Sequence, residues 1–157
     1  MATRWLDERE SRAWRGLRRM HADLSAHLAQ QLTEEFGLTE ADYVVLVAVS
    51  EAPDRRIRSR DLGRALGWER SRLSHQIARM EARGSVRRAR CETDARGFDV
   101  LLTDEGVAAV EAAAPLHLAG VRHCFVDLLT AEQLDVLGDI ADTVTDHLDT
   151  EHLGSAG

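Results

Sequence analysis

Lysine is missing from this chain; all 20 of its basic residues are arginine. Codon usage in a GC-rich genome favours arginine, so placement says more than identity. Cysteine is nearly missing too. Cys91 and Cys124 are too few for a disulfide framework, and nothing in their setting suggests export. No apolar run approaches the roughly 18 residues needed to cross a bilayer, and the opening MATRWLDERE lacks the apolar stretch of a signal peptide. The expectation is a soluble cytoplasmic protein with no membrane partner. Catalytic motifs are absent as well: there is no Ser-His-Asp order, phosphate-binding glycine loop or dinucleotide fingerprint. Seven histidines are present, but none forms HExxH or a similar pair, and His21 and His27 do not share a helix face. The chain reads as a non-enzyme with no cofactor and no metal.

What is present is a charge asymmetry. From Arg55 to Arg96 there are 13 arginines against five acids, whereas the whole chain carries a net charge of −7. Residues 97–157 hold one arginine and 12 acids. A solvated face would scatter both signs. One basic segment on an acidic body points to a polyanion docked by a single surface.

At 157 residues the chain fits one domain, or a compact domain with extra helices, and is long enough for a hydrophobic core. Helical periodicity runs from Trp5 to Gln31, with Trp14, Leu17, His21, Leu24, Leu28 and Leu32 at steps of three and four. After Phe36-Gly37-Leu38, Thr39 is placed to cap a second helix, with Asp42 in its first turn. The apolar run Tyr43–Val49 then reads as a buried helix, closed by Glu51-Ala52-Pro53-Asp54. Arg55–Arg58 reads as a short extended link.

Ser59 is expected to cap a small helix, Arg60–Leu66, with Leu62, Ala65 and Leu66 inward. Gly67-Trp68 makes a tight turn into a helix over Glu69–Arg83, which has no good N-cap and ends at Gly84, a suitable C′ glycine. Val86–Cys91 and Phe98–Thr103 read as strands of an antiparallel hairpin. Thr103 starts a helix bearing Val107, Val110, Leu118, Val121, Phe125 and Leu128, with Pro115 expected to kink it. Thr130–Gln133 is a capping box opening a last helix striped by Leu134, Leu137, Ile140, Ala141, Val144 and Leu148.

Two helices about a glycine turn, followed at once by a hairpin, make a winged helix-turn-helix. With Leu73, Ile77 and Met80 inward, the second helix would present Arg70, Ser71, Arg72, Ser74, His75, Gln76 and Arg79 outward. These are donors and small polar groups suited to phosphates and base edges in the major groove of double-stranded DNA. The hairpin adds Arg88 and Arg90, with Arg96 at its tip reaching a narrow minor groove and Asp94 orienting it. Gly97 relaxes the backbone where the turn re-enters the strand.

The stretch LGWERSRLSHQIARMEARGSVRRARCETDARGFDVLLTDEG, residues 66–106, resembles the MarR family of bacterial transcription regulators. LTEADYVVLVAVS and LTAEQLDVL agree with it, so the resemblance covers nearly the whole chain. It implies a mainly α homodimer with a small β-hairpin wing. Residues 1–36 and 104–157 would be dimerisation helices and 37–103 the DNA-binding domain. It further implies a repressor on a pseudo-palindromic operator, released by a small molecule. Arg70, Ser71, Arg72, Ser74 and His75 then fall at the groove-facing start of the recognition helix, Arg96 at the wing-tip arginine, and Asp94 at the acid orienting it. Trp14 and His21, with Arg19 and His27 nearby, are candidates for an effector pocket; as interface residues they need no ligand, and the same holds for His117 and His123. Two other readings remain open: oxidant sensing through Cys91, which sits near Arg88 and Arg90, and a winged helix used to bind another protein.

Overall fold

The first helix begins at Glu8, three residues later than the apolar periodicity does, because Asp7 caps it. The Asp7 carboxylate accepts from the Glu10 amide at 2.8 Å, and the Glu10 carboxylate accepts from the Asp7 amide at 2.9 Å. This helix, α1 (Glu8–Phe36), is 29 residues long and ends at Gly37, whose left-handed φ of 64° returns its N–H to the Thr33 carbonyl. The computed structural model describes residues 4–90 and 97–154.

Thr39 and Asp42 form the reciprocal box that opens α2 (Glu40–Ser50). This box, with packing from every side, makes the apolar run a helix rather than a strand. Tyr43, Val45, Leu46 and Val49 are buried, and α2 touches α1, both helices that follow it and two strands. Each fully buried side chain of this size contributes about 1.5–3 kcal/mol, so α2 is the centre of the core.

The expected link after it is a strand, β1 (Arg56–Arg58), reached through a tight turn in which Asp54 and Arg55 both take positive φ. It pairs with β3 (Phe98–Leu102), which also pairs with β2 (Val86–Arg90), giving an antiparallel sheet of order β1-β3-β2. The hairpin is therefore two-thirds of a sheet. Asp99 is buried, and its carboxylate accepts from the Arg56 guanidinium at 2.5–2.6 Å. An ion pair across β1 and β3 is what permits a carboxylate there.

Helix α3 (Ser59–Leu66) starts one residue earlier than expected; Arg58 is the cap position, and no side chain caps it. Leu62 and Gly63 are its buried residues, and Ala65 is exposed. Helix α4 (Arg70–Ala82) likewise lacks a side-chain cap at Glu69, and Gly84 follows it with φ of 81°. Leu73, Ile77 and Met80 face the core with Val86, Val100, Val110 and Ala113.

Helix α5 (Asp104–Cys124) begins at Thr103, whose hydroxyl accepts from the Gly106 amide at 3.0 Å and donates to the Gly84 carbonyl at 2.5 Å. It continues past Pro115. The chain divides into two units, residues 1–118 and 119–157. In the second, Arg122 pairs with Asp127 at 2.6 Å, and the Thr130–Gln133 box opens α6 (Ala131–Gly154). Ile140, Val144 and Leu148 recur every fourth residue along α6 and are exposed. None of the described helices is long and apolar enough to cross a membrane.

Candidate nucleic-acid interface

The turn into α4 is built around Trp68. Its amide donates to the Gly63 carbonyl at 2.9 Å, closing the α3–α4 corner, and the half-buried indole packs against the core. The Arg72 guanidinium lies over that indole, 4.3 Å from the ring centroid. Cation–π attraction thus limits the directions Arg72 can take without neutralising it.

Arg70, Ser71, Arg72, His75 and Arg79 are exposed on one side of α4, and Ser74 is half-buried beside them. No acid interrupts this face between Glu69 and Glu81. The first-turn amides of α4 have neither a capping side chain nor an acidic neighbour within the helix, which favours an approaching anion. Between α3, the start of α4 and the start of β3 lies a cleft of about 720 Å³, lined by Arg60, Arg64, Trp68, Arg70, Leu73 and Phe98 among others.

Gln76 does not belong to the exposed face. It is 2% exposed, and its side-chain amide donates to Asp42 Oδ1 at 2.6 Å. A buried carboxylate on α2 draws it inward, because that carboxylate needs donors. Arg83 donates to the same oxygen, and Arg79 donates to Gln76 Oε1. Burial pushes the Asp42 carboxyl up, but the bond from Arg83 and those from Thr39 outweigh this and hold it below the usual carboxylate range.

Arg88 is likewise engaged within the protein. Its backbone N–H donates to Glu81 Oε1 at 2.8 Å, its guanidinium donates to the Ser74 carbonyl at 2.9 Å, and it lies over the Phe98 ring at 4.7 Å. It ties β2 to α4. Arg90, opposite Phe98 in the hairpin, is exposed at the end of β2. Asp94, Arg96 and Cys91 lie outside the described residues. Cys124 is a free, half-buried thiol.

The effector candidates do not converge on one cavity. Trp14 is 52% exposed, and His21 and His27 are exposed on the same helix; Arg19 pairs with Asp23 at 3.4 Å. The groove along the start of α1 is lined by Asp7, Arg9, Arg12, Gly16 and Leu17 with their neighbours, without Trp14 or His21. His117 is different: half-buried, it packs on the Tyr43 ring at 4.5 Å. Burial lowers its pKa, against a smaller opposing pull from Glu40. Its Nδ1 has no hydrogen-bond partner among the described residues. His123 is exposed. Among the described residues, no three His, Cys, Asp or Glu side chains are grouped to hold a metal.

Sequence reasoning missed the Asp42–Gln76 pair, the Trp68 stack and the Arg56–Asp99 bridge. The last two had weak signals in a tryptophan four residues before an arginine and an acid inside a strand. The first had a signal only on the α4 side, where Gln76 stands three residues after Leu73 and four before Met80; Asp42 is fully explained as a helix cap.

A family model described as MarR family matches residues 36–97. Transcriptional regulator HosA of Escherichia coli is 31% identical over 126 residues, spanning 80% of this chain and 89% of HosA. AbsC, a MarR family transcriptional regulator from Streptomyces coelicolor, superimposes with a TM-score of 0.89 at 41% identity, over 94% of this chain and 99% of AbsC. Sco3205, a MarR family regulator from the same organism solved in complex with DNA, does so with a TM-score of 0.89 at 40% identity, over 93% of this chain and 92% of its own. The chain belongs to the MarR family of transcriptional regulators.

Proposed function

We propose that the chain is a homodimeric, sequence-specific DNA-binding regulator, acting as a ligand-released repressor on a pseudo-palindromic operator. The observation that carries this reading is the acid-free exposed face of α4, bearing Arg70, Arg72, His75 and Arg79 on a chain of net charge −7. Such a helix fits the major groove, where arginine and small polar groups meet phosphates and base edges. Sco3205, solved with DNA, supports it.

The dimer is supported by apolar surface that a lone chain leaves in water. Trp14, Leu17 and Met20 on α1, and Val136, Ile140, Val144 and Leu148 on α6, are all exposed. Monomers rarely leave such stripes uncovered. Residues 1–36 and 104–157 are assigned to dimerisation and 37–103 to DNA binding, in a cytoplasmic protein. A small-molecule effector would act by changing the spacing of two lobes that must fit successive major grooves about 34 Å apart.

Fluorescence anisotropy tests the reading, using DNA from immediately upstream of the gene and a shuffled control at two salt concentrations. Saturable binding that prefers the upstream DNA and weakens steeply with salt is expected. Equal, feeble binding to both probes, and to a wider set of genomic fragments, would instead favour a winged helix that binds another protein. Light scattering should give twice the chain mass.

A further inference from the structure

Asp42 is 1% exposed, yet every described bond to it comes from a group tied to one of two places: the corner between α1 and α2, or α4. Its Oδ2 accepts from the Thr39 amide at 2.9 Å, and its Oδ1 accepts from Gln76 at 2.6 Å and from Arg83. Gln76 therefore has one orientation open to it. Only its NH2 can donate to a carboxylate, so its carbonyl oxygen must point the other way, toward the surface. There it accepts from Arg79, three residues along α4 on the exposed face. An arginine side chain in water samples many rotamers; one bonded to a buried, fully oriented acceptor keeps its stem and fork in place.

We propose that Gln76 is a positioning residue for DNA binding, fixed by Asp42 and holding the Arg79 guanidinium in the orientation that meets the nucleic acid. This rests on the reading of α4 as the recognition helix. Gln76 touches no DNA itself; it acts through Arg79, and Asp42 makes the orientation of its amide obligatory. The α1–α2 corner is thereby bonded, through one carboxylate, to a side chain on the DNA face.

A double-mutant cycle on full-length protein tests this, with operator affinity and its salt dependence as readouts. Arg79→Ala should weaken binding roughly tenfold and lower the salt slope by about one. Gln76→Met, which keeps length and removes both hydrogen bonds, should weaken it roughly fivefold. In the double variant the Gln76 effect should vanish, leaving affinity within about twofold of Arg79→Ala alone. Losses that multiply in the double variant, or unchanged affinity in Gln76→Met, would overturn the assignment. If Gln76→Met fails to fold, the reciprocal exchange Asp42→Asn with Gln76→Glu keeps one amide and one carboxylate in the pair and an acceptor for Arg79. That exchange should bind operator nearly as wild type and lose affinity again on adding Arg79→Ala; weak binding that Arg79→Ala lowers by a further roughly tenfold would overturn the proposal, because Arg79 would then act independently of the pair. Wild-type protein that binds no DNA would sink the regulator reading itself, a distinct outcome.

Discussion

Gly106, in the first turn of α5, lies so close to the Ser85 carbonyl that a β-carbon on it would stand 2.0 Å from that oxygen. The contact joins the turn after α4 to the helix after the wing, and Thr103 reinforces it from both sides. Gly106→Ala must push backbone against backbone, so it should destabilise the fold by about 3 kcal/mol, the upper range for overpacking. Urea unfolding followed by circular dichroism measures this. A midpoint equal to wild type would mean that the turn yields freely.

Trp68 and Arg72 form a second pair whose worth can be separated. Arg72→Ala should reduce operator affinity by about 1–3 kcal/mol, with relaxed sequence preference if it reads a base. Trp68→Leu keeps an apolar group in the core and removes the π face, so it should cost about 0.5–1 kcal/mol of binding. In an Arg72→Ala background the Trp68 change should cost no further binding. Anisotropy titrations of the four proteins decide this.

Arg88 and Arg90 are two residues apart in β2 but should respond in opposite ways. Arg88→Ala removes the guanidinium's bond to the Ser74 carbonyl and its ion pair with Glu81 at 3.6 Å, keeping the backbone bond to Glu81, and should lower stability by about 1–2 kcal/mol. Arg90→Ala removes an exposed charge and should leave stability within about 0.5 kcal/mol. If Arg90 meets a phosphate, its loss lowers the salt slope of DNA binding by about one, whereas the Arg88 change leaves that slope alone. Salt titrations and thermal melts on both variants check the contrast.

His117 makes stability depend on pH in a defined direction. Its folded pKa lies below the ordinary 6.5, burial being the main cause and Glu40 opposing it. The unfolded chain therefore takes up a proton first as pH falls. Stability is full above about 6.5 and is lost progressively below that value, until the folded form also protonates. His117→Phe should flatten the melting temperature between pH 7 and pH 5 relative to wild type. An unchanged slope would assign the dependence to other groups.

Much of the fold was legible in the residues. The caps at Thr39 and Thr130, the turn glycines Gly37, Gly67 and Gly84, and the strand pair before the LTDEG stretch all stand in the structure. Each is a contact among near neighbours, so its chemistry is written in consecutive letters. Arg56–Arg58 read as a link because three residues carry too little pattern to mark a strand; pairing with β3 makes it one.

The recognition face was only partly legible, for a related reason. Helical periodicity identifies the residues opposite Leu73, Ile77 and Met80 as polar, and most of them are exposed. By spacing Gln76 is not one of them, standing three residues after Leu73 and four before Met80, but its polar side chain reads as surface until Asp42 is found buried beside it.

By itself the sequence determined the order of the helices and the hairpin, the basic segment on an acidic chain and most of the polar surface of α4, since these follow from composition and from short-range spacing. Tertiary structure alone decided that Gln76 turns inward to Asp42, 34 positions away, and that Arg56 meets Asp99 across 43. A buried polar group must find a partner wherever the fold brings one, and sequence distance places no limit on where that is.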